Sequence, residues 1–149
     1  MAYHAITVTL ENISGIVAEK DRYGTRTVSV AFNVTAAGKR RYAVQIAGSP
    51  RLDNGMVVTA VLRDVENWQT LVAWLNHATG EVCGVDSPGY HVSLCVFNVV
   101  LGVLFSLRAI STGTGTGSMI FWFCSVGLLN AWSLYSLCKS VTVYRLLKP

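Results

Sequence analysis

The histidines are the first place to look for chemistry, because a general base near neutral pH is most often one of them. There are three, His4, His77 and His91. Each falls at the edge of an apolar pattern, and no nucleophile is fixed beside any of them. The motifs GxSxG, HExxH and the phosphate-binding P-loop are missing, as are carboxylate pairs at useful spacing. His77, in Leu75-Asn-His-Ala-Thr-Gly80, is the best single candidate. Asn76 and Gly80 favour turn backbone, so this segment reads as the exit turn of a strand. No catalytic residue is expected. Cys83, Cys95, Cys124 and Cys138 include no CxxC pair, so disulfides, zinc and other metals are not expected, and nothing implies a cofactor. Gly113, Gly115 and Gly117 follow no strand and precede no Lys-Ser/Thr, which makes them a flexible turn and not a phosphate cradle.

Three further groups of side chains bear on binding. Lys39-Arg40-Arg41 is a basic triplet at a predicted hairpin, suited to lipid headgroups or to a partner protein. Phe32, Tyr42, Trp68 and Trp74 would be the aromatics of a nucleic-acid surface, but Phe32 and Tyr42 share an apolar alternation that assigns them to a core. Residues 1–90 contain eight Lys/Arg and all eight Asp/Glu, so they are neutral, against the surplus that phosphate backbones require. The chain's net charge of +4 comes from Arg108, Lys139, Arg145 and Lys148.

Those four cations lie in the half of the chain that holds two long apolar stretches, Val92–Ile110 and Met119–Cys138, joined by Ser111-Thr-Gly-Thr-Gly-Thr-Gly-Ser118; Arg108 is inside the first and the other three follow the second. Each stretch is about the 20 residues that a helix needs to cross a hydrocarbon core. The short connection predicts a transmembrane hairpin at 91–138, followed by a basic tail at 139–149. Positive charge after the second span and none in the connecting turn orient both termini toward the cytosol. No secretory signal opens the chain, which agrees. The sequons Asn12-Ile-Ser14 and Asn33-Val-Thr35 are then accidental.

Folding the hairpin about Gly115 brings Asn98 and Asn130 to similar depth near mid-bilayer, where amides seek partners in the same hairpin or in other copies. Gly127-x-x-x-Ala131 forms a small-residue stripe that admits another helix. Arg108 and Trp122 mark the outer interface, and Trp132 marks the inner one, near Lys139, Arg145 and Lys148.

The region before the spans alternates with period two, the signature of strands. Ile6, Val8 and Leu10 share one face, then Val28, Val30, Phe32 and Val34, then Tyr42, Val44 and Ile46. Gly15 allows the first strand to bend. Ala36-Ala-Gly38 and Asn54-Gly55 are turn chemistry. Met56–Arg63 is apolar on both faces, as in a central strand, and Gln69–Asn76 is the last strand. The expected fold is therefore a small all-β barrel at 1–76, closed, five-stranded, OB-like or SH3-like. A linker at 77–90 follows, and then the hairpin.

Gly15-x-Val17, the Phe32 strand, Tyr42–Ile46, Pro50-x-Leu52-x-x-Gly55-x-x-Val58 and Trp68–Leu75 together resemble the OB-type domain of NfeD-like membrane proteins. The resemblance covers residues 13–76, and the order is reversed, since in that family the spans usually precede the barrel. It implies a membrane-attached adaptor barrel and carries no functional residues with it. The expected function is non-enzymatic. The chain would be a two-span protein of the bacterial inner membrane that presents its barrel to a cytosolic protein and assembles with copies of itself. A pore-forming oligomer and a membrane-tethered nucleic-acid binder are the alternatives.

Overall fold

The structure is a computed structural model that describes residues 3–111 and 116–148. The chain divides into two compact units. One runs through Val85 and takes in the chain from Val143 onward; the other is Asp86–Thr142.

The first unit is a curled, antiparallel, six-stranded half-barrel. Its strands are β1 (His4–Lys20), β2 (Thr27–Ala36), β3 (Lys39–Ala47), β4 (Met56–Leu62), β5 (Leu71–Asn76) and β6 (Val82–Cys83), in spatial order β3-β2-β1-β4-β5-β6. The curl comes from β1, which pairs with β4 over His4–Leu10 and with β2 over Leu10–Lys20. The change of partner coincides with register shifts and with two left-handed residues, Asn12 and Gly15, at φ 51° and 61°. A side chain at Gly15 would also meet the Asn33 amide nitrogen at 2.8 Å.

Asn33 controls a second irregularity. Its Oδ1 accepts the Ala43 N–H at 3.0 Å, and Ala43 is held at φ 52° where the β2–β3 register slips. The resulting bulge places two residues of β3 where the ladder has room for one, and reverses the facing of what precedes it. Tyr42 is therefore 66% exposed, while Val44 and Ile46 are buried. This corrects the alternation expected to carry all three inward.

Inward residues of every strand build the main core. Leu10, Val30, Phe32, Val44, Val58 and Trp74 are buried in it, and the Phe32 and Trp74 rings pack at 5.6 Å with a tilt of 53°. β4 is buried on both faces as its pattern requires. Val61, with Ala73 and Leu75 of β5, forms a second cluster with Val143 and Leu147 from the end of the last helix.

Three features differ from the expected barrel. Residues 68–70 are a 3-10 turn (Trp68–Thr70), capped by Asn67, so the last long strand begins at Leu71. A sixth strand, Val82–Cys83, lies inside the segment read as a linker. It is followed by Gly84, whose φ of 93° and packing against the Val72 carbonyl leave no space for a β-carbon. No ladder joins β3 to β5 or β6 among the described residues, so the sheet is a half-barrel and not a closed one.

The second unit contains α1 (Pro88–Ser111) and most of α2 (Thr116–Leu147). At 32 residues α2 is about 48 Å long. It continues through the segment read as a basic tail and ends in the second cluster of the sheet. Of the turn expected between the spans, residues 112–115, with Gly113 and Gly115, lie outside the described residues.

Candidate functional site

The helix pair is put together from its seam outward. On α1 the half-buried or buried positions among the described residues are Pro88, His91, Leu94, Cys95, Asn98, Leu101, Gly102 and Ser106, spaced three and four apart along one face. Gly102 packs tightly against α2, since a methyl group there would stand 3.0 Å from the Val126 side chain. Phe105 and Trp122 stack at 4.8 Å, tilted by 55°. Lower in the seam the Asn98 Nδ2 donates to the Ser133 hydroxyl at 3.2 Å, and the Ser140 hydroxyl donates to the Asp86 carbonyl at 2.7 Å. Ser133 and Ser140 are fully buried.

The outward surface has the opposite composition. Val96, Val103, Leu107, Phe121 and Leu129 are exposed, and Leu128 is 73% exposed. Pro88–Arg108 and Ile120–Leu147 are each long and apolar enough to cross a membrane, and only 6% of either apolar window is buried. A helix that is apolar around its circumference needs an apolar surrounding. A shallow apolar notch of about 300 Å³ lies beside Gly102, walled by Val99, Val103 and Phe123.

The residues assigned to this region from the sequence fall into three groups. Asn98 has its partner in Ser133 and not in Asn130, whose Nδ2 donates to the Val126 carbonyl of its own helix at 2.9 Å. Gly127 and Ala131 face outward, and nothing lies within 4 Å of where a Gly127 side chain would start. Trp122 meets Phe105, Arg108 is exposed in the last turn of α1, and Trp132 is exposed. Lys139 is half-buried, while Arg145 and Lys148 are exposed in or just beyond the last turn of α2.

On the sheet, the basic triplet is tied into the fold. Arg40 donates to the Asn12 carbonyl and the Ser14 hydroxyl, at the bend of β1, and its guanidinium lies 6.0 Å from the centre of the Tyr42 ring. Arg41 donates to the Glu66 carbonyl at 2.7 Å, and Lys39 and Arg41 approach the Glu66 carboxylate at 3.7 and 3.9 Å. Such exposed pairs contribute about 0–1 kcal/mol, so their effect is mainly on geometry. They hold the outer edge of β3 to the loop before the 3-10 turn, around a polar groove of about 310 Å³ that includes Asn67 and Gln69. Phe32, Trp68 and Trp74 are buried, leaving Tyr42 as the exposed member of that aromatic set.

His77 belongs to a polar row across the sheet. Its Nε2 lies 2.8 Å from the Thr59 hydroxyl, which is 2.9 Å from that of Thr7. A histidine beside a hydroxyl is the beginning of a nucleophile–base pair. At Thr59, however, β4 is paired with β1 on one side and β5 on the other, so the ladder uses the backbone N–H groups that would hold an oxyanion. Asn76 caps the turn through Ala78 N–H at 2.9 Å, as its spacing to Gly80 predicts. The four cysteines are free. Burial, with a smaller contribution from Glu81 at 3.3 Å, pushes the Cys83 thiol up to about 11, which keeps it protonated and unreactive near neutral pH. Among the described residues, no group of three His, Cys, Asp or Glu could hold a metal ion.

Comparison with known proteins finds no family model, no curated protein and no solved structure that matches this chain.

Proposed function

We propose that this chain is a two-span membrane protein without enzymatic activity. Its helix pair anchors a cytosolic β-domain that serves as a docking or scaffolding module, and copies of the chain assemble with one another. The observation that carries this reading is the inverted helix pair, with serines and Asn98 in the seam and leucine, valine and phenylalanine outside. Water would not tolerate that surface on a monomer, whereas hydrocarbon would. The OB-like character of the domain, and with it the likeness to NfeD-like adaptors, is supported by a bent first strand shared between β2 and β4. We assign the bacterial inner membrane, with both termini in the cytosol, from the charge that follows the second span.

The same facts favour an anchor over a pore. Asn98, Asn130, Ser106 and Ser125 each donate a hydrogen bond inside the helix pair, which among the described residues leaves less polar surface to line an aqueous path. Nucleic-acid binding is disfavoured by the burial of Phe32, Trp68 and Trp74 and by the internal ties of Arg40 and Arg41.

Self-assembly has a candidate surface in Gly127 and Ala131, which the helix pair leaves uncovered. Native mass spectrometry in mild detergent should give one defined multimer, and replacing both residues by Leu should lower its mass. An unchanged mass removes the stripe from the account. In proteoliposomes, solute flux should equal that of empty vesicles; flux above that level would replace the scaffold with a channel.

A further inference from the structure

α2 changes character near its end. Earlier in the helix Phe121, Phe123, Leu128, Leu129 and Trp132 are exposed, which suits an apolar surrounding. From Ser140 onward one face is buried, at Ser140, Val143 and Leu147, and the other is exposed, at Thr142, Arg145 and Lys148. Buried positions three and four apart, with cations opposite, are the pattern of a helix lying on a protein surface in water. The last turn is closed by the Lys148 N–H, which donates to the Tyr144 carbonyl at 3.0 Å.

The sheet changes in step. Its ladder sets Thr59 beside Thr7 and Leu75, and sets Val61, two residues along β4, beside Ala5 and Ala73. Alternation places all six on one face. That face is polar where Thr7, Thr59 and His77 meet. It turns apolar at Val61, Ala73 and Leu75, and there Val143 and Leu147 close over it, with Tyr3 and Val85 at the rim. Val61 and Ala73 are left with no exposure at all. The covering residues belong to the compact unit of the sheet, although the whole of Asp86–Thr142 lies between them and Val85 in the chain.

We propose that the end of α2 is a folding latch. The sheet acquires its second core only when the second span has returned Val143 and Leu147 to the sheet's side of the membrane. Insertion of the hairpin and completion of the β-domain are then coupled, and each stabilises the other. A chain whose second span fails to insert keeps Val61, Ala73 and Leu75 bare, an apolar patch that water disfavours. The inference rests on the two-span reading and adds to it a conformational consequence.

The cover is tested with full-length Ala73→Cys in membrane vesicles, read as maleimide labelling of residue 73 by peptide mass spectrometry. On its own this thiol should stay protected. Adding Leu147→Asp should speed its labelling by about tenfold or more, because a carboxylate buried without a partner opens the contact. Adding Arg145→Asp, exposed in the same turn, should not. Adding Leu128→Lys should uncover residue 73 in proportion to the C-termini left on the far side, read with an impermeant maleimide at Lys148→Cys. Without the cysteine at 73, Leu147→Asp should lower the thermal midpoint of the sheet and Arg145→Asp leave it unchanged. Fast labelling of Ala73→Cys alone, or equal midpoints for the two aspartates, overturns the latch. Protection of residue 73 in chains with a far-side C-terminus overturns the coupling. Labelling of Lys20→Cys and Lys148→Cys from opposite sides of the membrane, in the otherwise wild-type chain, overturns the two-span reading itself.

Discussion

The two units of this chain are built in opposite senses. In the half-barrel, Phe32, Trp74 and Val58 are hidden and the Lys, Arg, Asp and Glu side chains lie outside. In the helix pair, Ser133, Ser140 and Asn98 turn inward while Leu128, Phe121 and Val103 turn out. A chain of one composition throughout would not show this reversal. The sheet hides what water rejects, whereas the helices are long and apolar enough to cross a membrane and leave their apolar side chains outside.

The comparison can be broken from either side. The largest effect is expected from Trp74→Ala, which empties the centre of the half-barrel and should cost about 4 kcal/mol, read as thermal unfolding of the purified chain by near-ultraviolet circular dichroism. Leu128→Lys addresses the other side, at a position where a solvated surface would accept the change silently. In a bilayer it should cost about 3 kcal/mol of insertion free energy, measured as the fraction recovered in membranes. Gly84→Ala should destabilise the sheet by about 2 kcal/mol, because its φ and the Val72 carbonyl both exclude a methyl group. The same substitution at Gly127, where nothing lies within 4 Å, should leave unfolding of the monomer unchanged. Asn98→Leu should cost only about 0.6 kcal/mol, since an amide separated from its partner within a membrane finds other hydrogen bonds. A much larger loss would mean that the Asn98–Ser133 contact organises the pair.

Much of this architecture was legible in the residues. Alternation placed Val30, Phe32 and Val34 inside, the two-faced pattern of Met56–Leu62 marked the central strand, and the apolar stretches marked α1 and α2. What escaped depends on contacts distant in sequence. Tyr42 turns out because the Asn33 amide stabilises a left-handed Ala43, and nothing in the local alternation signals a bulge. β6 is two residues long, too short to have a period, and its only trace is the glycine at 84. Depth along a hairpin can be counted from its turn, which puts Asn98 level with Asn130, but which side of α2 faces α1 cannot, and so Ser133 was not foreseen as the partner of Asn98. Gly102, where a side chain would press on Val126, has Ser106 four positions on, a small-residue pair overlooked beside the more obvious Gly127 and Ala131. Arg40 and Arg41 read as a free basic patch until the curl of the sheet brings Asn12, Ser14 and Glu66 to them.

Alkaline carbonate extraction of membranes from cells that make the full chain tests the central claim most directly, because it strips peripheral proteins and leaves those that span the bilayer. The wild-type chain is predicted to remain wholly in the membrane pellet, with Leu128→Lys partly released. Recovery of the wild-type chain in the soluble fraction would contradict the membrane hairpin, and with it the reading of the outward apolar faces.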